Sequence, residues 1–447
     1  MPYEGELASA LGHVPVMQMA QEITKTMGRW RRLRDVDNTN AARQLCHDAS
    51  SLPSGAPYDL VVAVDGSPAY IEVVEGCYVG FYHIGTASIQ VADYLGSANA
   101  IGHPVDGNRL RRSVSTNHMT LCLPTGGFVI GRSDEADSWR DELYRQFSQP
   151  AYGGRSLVDA IMLLAGGPGK PAPAVTLARC PVCGARDLAV PSRGASCACE
   201  ARLYPTDVLR TVEYFVPGTG GAAAVGWAGA AAERLLLILY LEQILEDGGD
   251  MSHMLLMADG PLAFFGHAKP MKAKLLDYWS QFSRLVPEAE STLPTIVGVE
   301  KTGTWVEASR TFGLKAGQFI MPDNDLIVAQ VRRRRISQVT PYGAGEYYGR
   351  HVVYRSVRGD YFVLTIMRPS GAPYTVAAAT DEADPASYPD LGRVLNAVEA
   401  FGSVTTPGAL IPIMEAHRAS AIPLDKYPLL QALARQGAGL PENCAEV

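Results

Sequence analysis

The chain has 447 residues, enough for two or three domains with a large core. Apolar residues make up 47% and charged residues 19%, which excludes a disordered or low-complexity chain. The net charge of −7 argues against wholesale coating of nucleic acid but leaves room for a local basic site.

The N-terminus, "MPYEGELASALGHV", carries neither the basic start nor the continuous apolar run of a secretory signal, so a cytoplasmic location is expected. Residues 6–48 read as mainly helical from the apolar spacing of "QMAQEITKTMGRWRRLRDV", and "SSLPSGAP" then breaks the chain. "YDLVVAVDGSPAYIEVV" predicts a buried strand over Leu60–Val64, a turn at Asp65-Gly66-Ser67-Pro68 and a returning strand. "CYVGFYHIGTASIQV" adds a third strand, which makes a meander. Helices follow at "SWRDELYRQFS" and "SLVDAIMLLAG", then a Gly/Pro linker, "GGPGKPAPA".

Four of the eight cysteines cluster in "CPVCGARDLAVPSRGASCACE": Cys180, Cys183, Cys197 and Cys199. A CPxCG turn brings two thiolates to one tetrahedral zinc, and a second pair completes the site. The closing pair is CxC, tighter than the usual CxxC. A disulfide pairing is the other reading, disfavoured in a cytoplasmic chain. Four cysteine ligands leave no open position, so this zinc is expected to be structural. Cys46, Cys77, Cys122 and Cys444 read as isolated core or surface thiols.

The longest apolar stretch, Ala222 to Leu245, is interrupted by Glu233, Arg234 and Glu242, as in a buried or amphipathic helix rather than a membrane span. A strand, "HMLLMADGP", a helix, "KAKLLDYWSQFSRLV", and a strand leading into a helix, "PTIVGVEKTGTWVEASRTF", come next. The last third predicts strands at "DLIVAQV", "HVVYRSV" and "YFVLTIM", then helices around "LIPIMEAHRASAI" and "YPLLQALARQ". In "QVRRRRIS", Arg332 to Arg335 read either as a solvated edge strand or loop, or as a phosphate contact.

Two aspartates, Asp65 in "VVAVDGS" and Asp259 in "LLMADGP", each end an apolar run and precede a glycine that lets the backbone turn and leaves the carboxylate unobstructed. Either alone reads as a turn or N-cap residue. Side by side at ~4 Å they would repel by about 4 kcal/mol at an effective dielectric of 20, a penalty that a divalent cation removes. Oxygen-only ligands suit Mg²⁺ or Mn²⁺. A meander bearing one Asp, followed later by a helix–strand unit bearing another, is the layout of a ribonuclease H-like metal-dependent nuclease. The helix over residues 231–246 offers a third carboxylate among Glu233, Glu242 and Glu246. Glu242 sits between Leu241 and Ile244, where an acid is costly unless paired or metal-bound. Lys301 follows an apolar strand and His417 lies among apolar neighbours; each reads as an ordinary structural residue or as a contact to a phosphate or metal.

The ordered set "AVDGS", "LYPTDVLR", "LYLEQIL", "MADGPL", "GVEKTG" and "GALIPIMEAHRASAIP" resembles the NurA nucleases of DNA end processing. The similarity is greatest to bacterial members with a Cys-rich insertion before "LYPTDVLR", and it runs over residues 58 to 435. It implies a ribonuclease H-like mixed sheet flanked by helices, with Mn²⁺- or Mg²⁺-dependent cleavage of single- and double-stranded DNA ends in 5′–3′ resection. A homodimer and a HerA-type hexameric ATPase partner are implied as well. By motif, Asp65, Glu242 and Asp259 become the metal carboxylates, with Glu233 as the fallback third acid. His417 becomes a further metal or phosphate ligand, and Lys301 stabilises substrate charge.

The expected organisation is a helical segment at 1–55, a core at 56–170, a Cys₄ zinc-ribbon-like insertion at 171–210, the rest of the core at 211–435 and a tail at 436–447. Two other functions stay open: a non-catalytic ring subunit that regulates a translocase, and a nuclease of a phage-defence system.

Overall fold

The computed structural model describes residues 19–20, 22–26, 42–95, 112–131, 133–216, 221–285, 293–323, 326, 346–368, 383–422 and 426–440. Most of the segment read as helical over 6–48, the strand expected at "DLIVAQV", Arg332 to Arg335 and Cys444 lie outside these residues.

An α/β architecture is built on one mixed sheet of nine strands, numbered here in chain order. They are β1 (Cys46–Asp48), β2 (Leu60–Val74), β3 (Cys77–Gln90), β4 (Val114–Gly126), β5 (Met254–Asp259), β6 (Thr295–Glu300), β7 (Gln318–Ile320), β8 (Gly349–Arg355) and β9 (Tyr361–Met367). Their order across the sheet is β1-β7-β8-β9-β6-β5-β2-β3-β4. β2, β3 and β4 form the antiparallel meander, whereas β5 runs parallel to both β2 and β6. β5 and β6 sit in the middle of the sheet with both faces covered, which is why they read as continuous apolar runs.

Among the described residues, seven main helices flank the sheet: α1 (Glu135–Phe147), α2 (Leu157–Gly166), α3 (Ala222–Glu246), α4 (Pro270–Leu285), α5 (Leu391–Phe401), α6 (Ile411–Ser420) and α7 (Tyr427–Gly437). Alternation along β2 separates the two cores. Val62 and Val64 pack under α3 with α1, α2 and α4, while Val61 and Ala63 pack under α5 and α6. α3 is long and apolar enough to cross a membrane, but 72% of its apolar window is buried inside the fold. It is a core helix, and its buried charged residues, Glu233, Arg234 and Glu242, face partners within that core.

The turn expected at Asp65-Gly66-Ser67-Pro68 does not form. β2 runs unbroken for 15 residues, with Asp65 paired to Gly85 and Pro68 to Tyr82, and the hairpin turns at Glu75-Gly76 instead. A turn reading treats Gly and Pro as breakers, yet β5 ends level with Asp65, so the outer half of β2 has lost one neighbour. Proline is tolerated on such an edge.

Between α2 and α3 the chain forms two small hairpins, Val175–Arg179 with Arg186–Val190 and Ala195–Ser196 with Arg202–Leu203. Each carries one cysteine pair in or beside its turn.

Candidate metal centres and acidic site

The four thiols of Cys180, Cys183, Cys197 and Cys199 all lie within 4.8 Å of one another. The closest pairs, Cys183–Cys197 at 3.6 Å and Cys180–Cys199 at 3.9 Å, are far longer than the ~2.05 Å of a disulfide. All four are free thiols grouped for a tetrahedral ion. The backbone N–H of Val182 donates to the Cys180 sulfur. Burial raises the Cys180 pKa, but backbone N–H donors outweigh it and bring the thiol down to about 7, which favours the thiolate a metal needs. The cluster could hold a metal such as zinc.

The second site lies where β5 ends. The parallel register pairs Ala258 with Val64, so Asp259 stands level with Asp65 on the neighbouring strand and points to the same face. Gly260, at φ +80°, turns the chain away immediately after Asp259, in a conformation that favours glycine. β6 pairs Val299 with Asp259 on the other side, so Lys301 emerges just beyond the same level.

These three side chains meet. The Lys301 ammonium lies 3.1 Å from Asp259 Oδ2 and 3.5 Å from Asp65 Oδ2. His417 reaches down from α6 to place Nδ1 2.8 Å from Asp65 Oδ2. The other oxygen of Asp65 accepts from the Gly66 backbone N–H at 2.7 Å. Burial and the neighbouring Asp65 carboxylate push Asp259 up to about 6, against the pull of Lys301.

From the opposite face of the sheet, α3 brings Glu233 against β2. A Cβ on Gly66 would fall 2.3 Å from the Tyr82 ring and 2.5 Å from a Glu233 oxygen, so only glycine lets the carboxylate sit directly against the strand beside Asp65. Tyr82 Oη donates to Glu233 Oε1 at 2.5 Å, and Arg234 Nη1 donates to Oε2 at 2.5 Å. Arg234 Nη2 also donates to the carbonyl oxygens of Asp259 (3.4 Å) and Pro261 (3.2 Å), which ties the turn after β5 to α3. Complete burial raises Glu233 to about 7 even though Arg234 opposes it; Asp65 and Asp259 add to the rise.

Glu242 is not part of this arrangement. It is fully buried further along α3, where it accepts from Tyr278 Oη at 2.6 Å and from the Gly169 backbone N–H at 3.0 Å. A buried carboxylate must be hydrogen-bonded, and these two donors meet that need without a metal. The third acid near Asp65 and Asp259 is Glu233.

Oxygen donors from Asp65 and Asp259, with the His417 imidazole beside them, are of the type that suits Mg²⁺ or Mn²⁺, while the Glu233 carboxylate lies behind β2 with both oxygens held by Tyr82 and Arg234. Among the described residues, only the four cysteines already have three or more donor atoms gathered for an ion; at the acidic site the Lys301 ammonium occupies the space between the two aspartates. Two residues that sequence reasoning did not single out, Tyr82 and Arg234, hold Glu233 in place. Arg234 is directly adjacent to Glu233 in an otherwise apolar helix, and a buried Glu-Arg doublet was the available signal.

Comparisons with protein-family models and with curated proteins give no match to this chain, so what the acidic site does is argued from its own geometry.

Proposed function

We propose that the protein is a metal-dependent phosphodiester hydrolase acting on DNA ends. The observation that carries this reading is the register: two aspartates on adjacent parallel strands, level with each other and on one face, with a lysine between them. The sheet order supports a ribonuclease H-like core. Read from the β4 edge it is a meander, β4-β3-β2, continued by β5 parallel to β2 and β6 parallel to β5.

Mg²⁺ or Mn²⁺ held by Asp65 and Asp259, with the Glu233 charge close behind β2, would neutralise the clustered acids and supply Lewis acidity toward a phosphoryl oxygen. The remaining steps belong to the chain's own groups. Lys301 offsets the negative charge that develops on the phosphate, and it is placed to leave the aspartates when a stronger cation competes. His417, held at Nδ1 by Asp65, keeps Nε2 for the substrate side, where it orients a phosphate oxygen or water. Arg234 fixes the turn after Asp259, so the two acids keep their spacing.

A homodimer and a HerA-type hexameric ATPase belong to the same reading. One observation supports a second copy: α7 lies on the outer half of β2 with no buried residue, leaving Leu429 (56%) and Leu433 (53%) exposed near the exposed Tyr70, Val74 and Tyr78. A non-catalytic ring subunit is the second reading. The Lys301 ammonium between the aspartates favours it, since a cation of the chain's own already balances them.

The test is cleavage of end-labelled linear DNA by purified protein with Mn²⁺, Mg²⁺ or EDTA, for wild type and Asp259→Ala. Metal-dependent digestion that the mutation abolishes is expected. Digestion that survives Asp259→Ala would remove the site assignment. No digestion by wild type, alone or with the ATPase, would favour the ring subunit.

A further inference from the structure

α3 carries a second feature of interest towards its N-terminal end. Trp227 lies about 9 Å of helix rise before Glu233 and is half-buried. Tyr214 stacks on one of its faces at 5.2 Å between centroids and 23° between planes. Among the described rings no second one stacks on Trp227, and no described residue accepts from its indole N–H. The His267 ring also packs on Tyr214, at 4.8 Å between centroids, and its backbone N–H donates to Tyr214 Oη at 2.8 Å. His267 belongs to the segment that leaves Asp259, so the aromatic group is tied through the chain to the acidic site.

The surroundings are basic. Glu213 is the acid of the group, and it is shared by Arg210 at 2.5 Å, His267 at 3.2 Å and Arg179 at 3.4 Å. Two arginines and an imidazole around one carboxylate leave an excess of positive charge beside a partly exposed indole, on a chain whose net charge is −7. A buried-core purpose does not require this composition: Trp139, Trp279 and Trp305, the core tryptophans, are almost fully enclosed, whereas Trp227 is only partly covered.

We infer that Trp227, Tyr214 and His267, with Arg179 and Arg210, form a stacking platform for the bases of a single-stranded nucleic acid that reaches the acidic site. The inference rests on the phosphodiester reading for the purpose of the platform, not for its existence. Stacking suits an acidic protein because it uses the π-face that every base has and needs no continuous basic groove. Arg179 and Arg210 then take the backbone phosphates on either side of the stacked base. A duplex offers no free base face, so the platform selects unpaired strand.

The experiment is fluorescence anisotropy of a labelled short oligothymidylate titrated with the full chain in EDTA at fixed salt. It compares wild type, Trp227→Leu and Trp227→Phe, each on normal oligonucleotide and on one with abasic positions. Trp227→Leu keeps most of the apolar volume and removes the π-face; Trp227→Phe keeps both in part. The expected result is a loss of affinity of roughly tenfold for Trp227→Leu and a smaller loss for Trp227→Phe. The difference between wild type and Trp227→Leu should vanish on the abasic oligonucleotide, a coupling that a packing role does not produce. Unchanged affinity in Trp227→Leu, or losses from mutation and abasic sites that simply multiply, would overturn the platform. So would failure of the wild type to bind the oligonucleotide. Metal-dependent cleavage by wild type is scored separately: its absence sinks the nuclease reading while a coupled result still supports the platform. Cleavage together with uncoupled binding sinks the platform alone.

Discussion

His417 Nδ1 lies 2.8 Å from Asp65 Oδ2, joining residues 352 positions apart in the chain. The contact joins α6, near the C-terminus, to the middle of the first long strand, so the site exists only when the whole domain is assembled. The His417 side chain is 57% exposed, which means it contributes little to packing. His417→Ala should therefore lower kcat on end-labelled DNA by about 100-fold or more while the melting temperature moves by only a degree or two. A large fall in melting temperature with an unchanged rate would make the histidine a structural residue.

Glu233 and Glu242 separate function from stability. Glu233→Gln keeps the shape of the side chain but removes a carboxylate beside Asp65, and cleavage should fall by about 100-fold or more with the fold intact. Glu242→Ala leaves Tyr278 Oη and the Gly169 N–H without their buried acceptor. It should cost on the order of 2–3 kcal/mol in urea denaturation, with the rate per folded molecule preserved. The opposite pattern, an inactive but stable Glu242 variant, would return the third-acid role to Glu242.

That distinction was within reach of the sequence. Asp259 stands five strand steps beyond Met254, or ~17 Å, and an antiparallel helix climbing 1.5 Å per residue covers that height about 11 residues before its end, near residue 235. Glu233 meets that level, and Glu242 sits about one turn from the helix end. Motif resemblance pointed to Glu242; strand and helix rise point to Glu233. The β5 and β6 strands, the β3 run and the cysteine cluster were legible because apolar runs and CPxCG spacing are local signals. The meander is built differently from the one expected: its first two strands are the single β2, and its third strand, β4, was not read from the sequence. The unbroken β2 was not legible, because whether Gly66 and Pro68 break a strand depends on which neighbours that strand has. Nor was α5 anticipated, since its apolar face becomes readable only once the sheet it covers is known.

The raised acids predict a pH signature. Asp259 and Glu233 bind protons more tightly in the folded chain than in the unfolded one, with folded values of about 6 and about 7. Their stabilising contribution is therefore complete below the ordinary carboxylate range and is lost as pH rises through those values. Asp259→Asn removes one of them. In EDTA it should match wild type near pH 4 and exceed it above pH 7, by on the order of 1–3 kcal/mol. Urea denaturation at the two pH values measures this. A mutant–wild-type difference that does not change with pH would mean that the burial of Asp259 places no strain on its charge.

The cysteine cluster should set stability rather than rate. Cys180 and Cys197 are buried with Leu177, Val190 and Leu203 against α1 and α2, so a metal there pins the insertion to the core. Elemental analysis should find about one zinc per chain, and Cys180→Ser should lose it together with several degrees of melting temperature. The folded fraction should retain its Mn²⁺-dependent rate. Loss of rate in a folded, zinc-free variant would link the insertion to substrate binding instead.

Lys301 gives the most discriminating variant, because its two proposed roles pull in opposite directions. Its ammonium sits between Asp65 and Asp259 and so competes with any divalent ion for the same oxygens. Lys301→Met keeps the chain length and removes the charge. If the site takes a metal, Mn²⁺ measured by calorimetry should bind at least as tightly as in wild type, since the competitor has gone. Cleavage should nonetheless fall by about 10- to 1,000-fold, because the charge that offsets the developing phosphate charge has gone too. Tighter metal with slower cleavage is a combination that simple damage to the fold cannot give, since unfolding weakens both. Weaker Mn²⁺ binding in a folded Lys301→Met protein would mean that the lysine builds the site rather than competing for it, and that the aspartates are balanced by the chain's own charge.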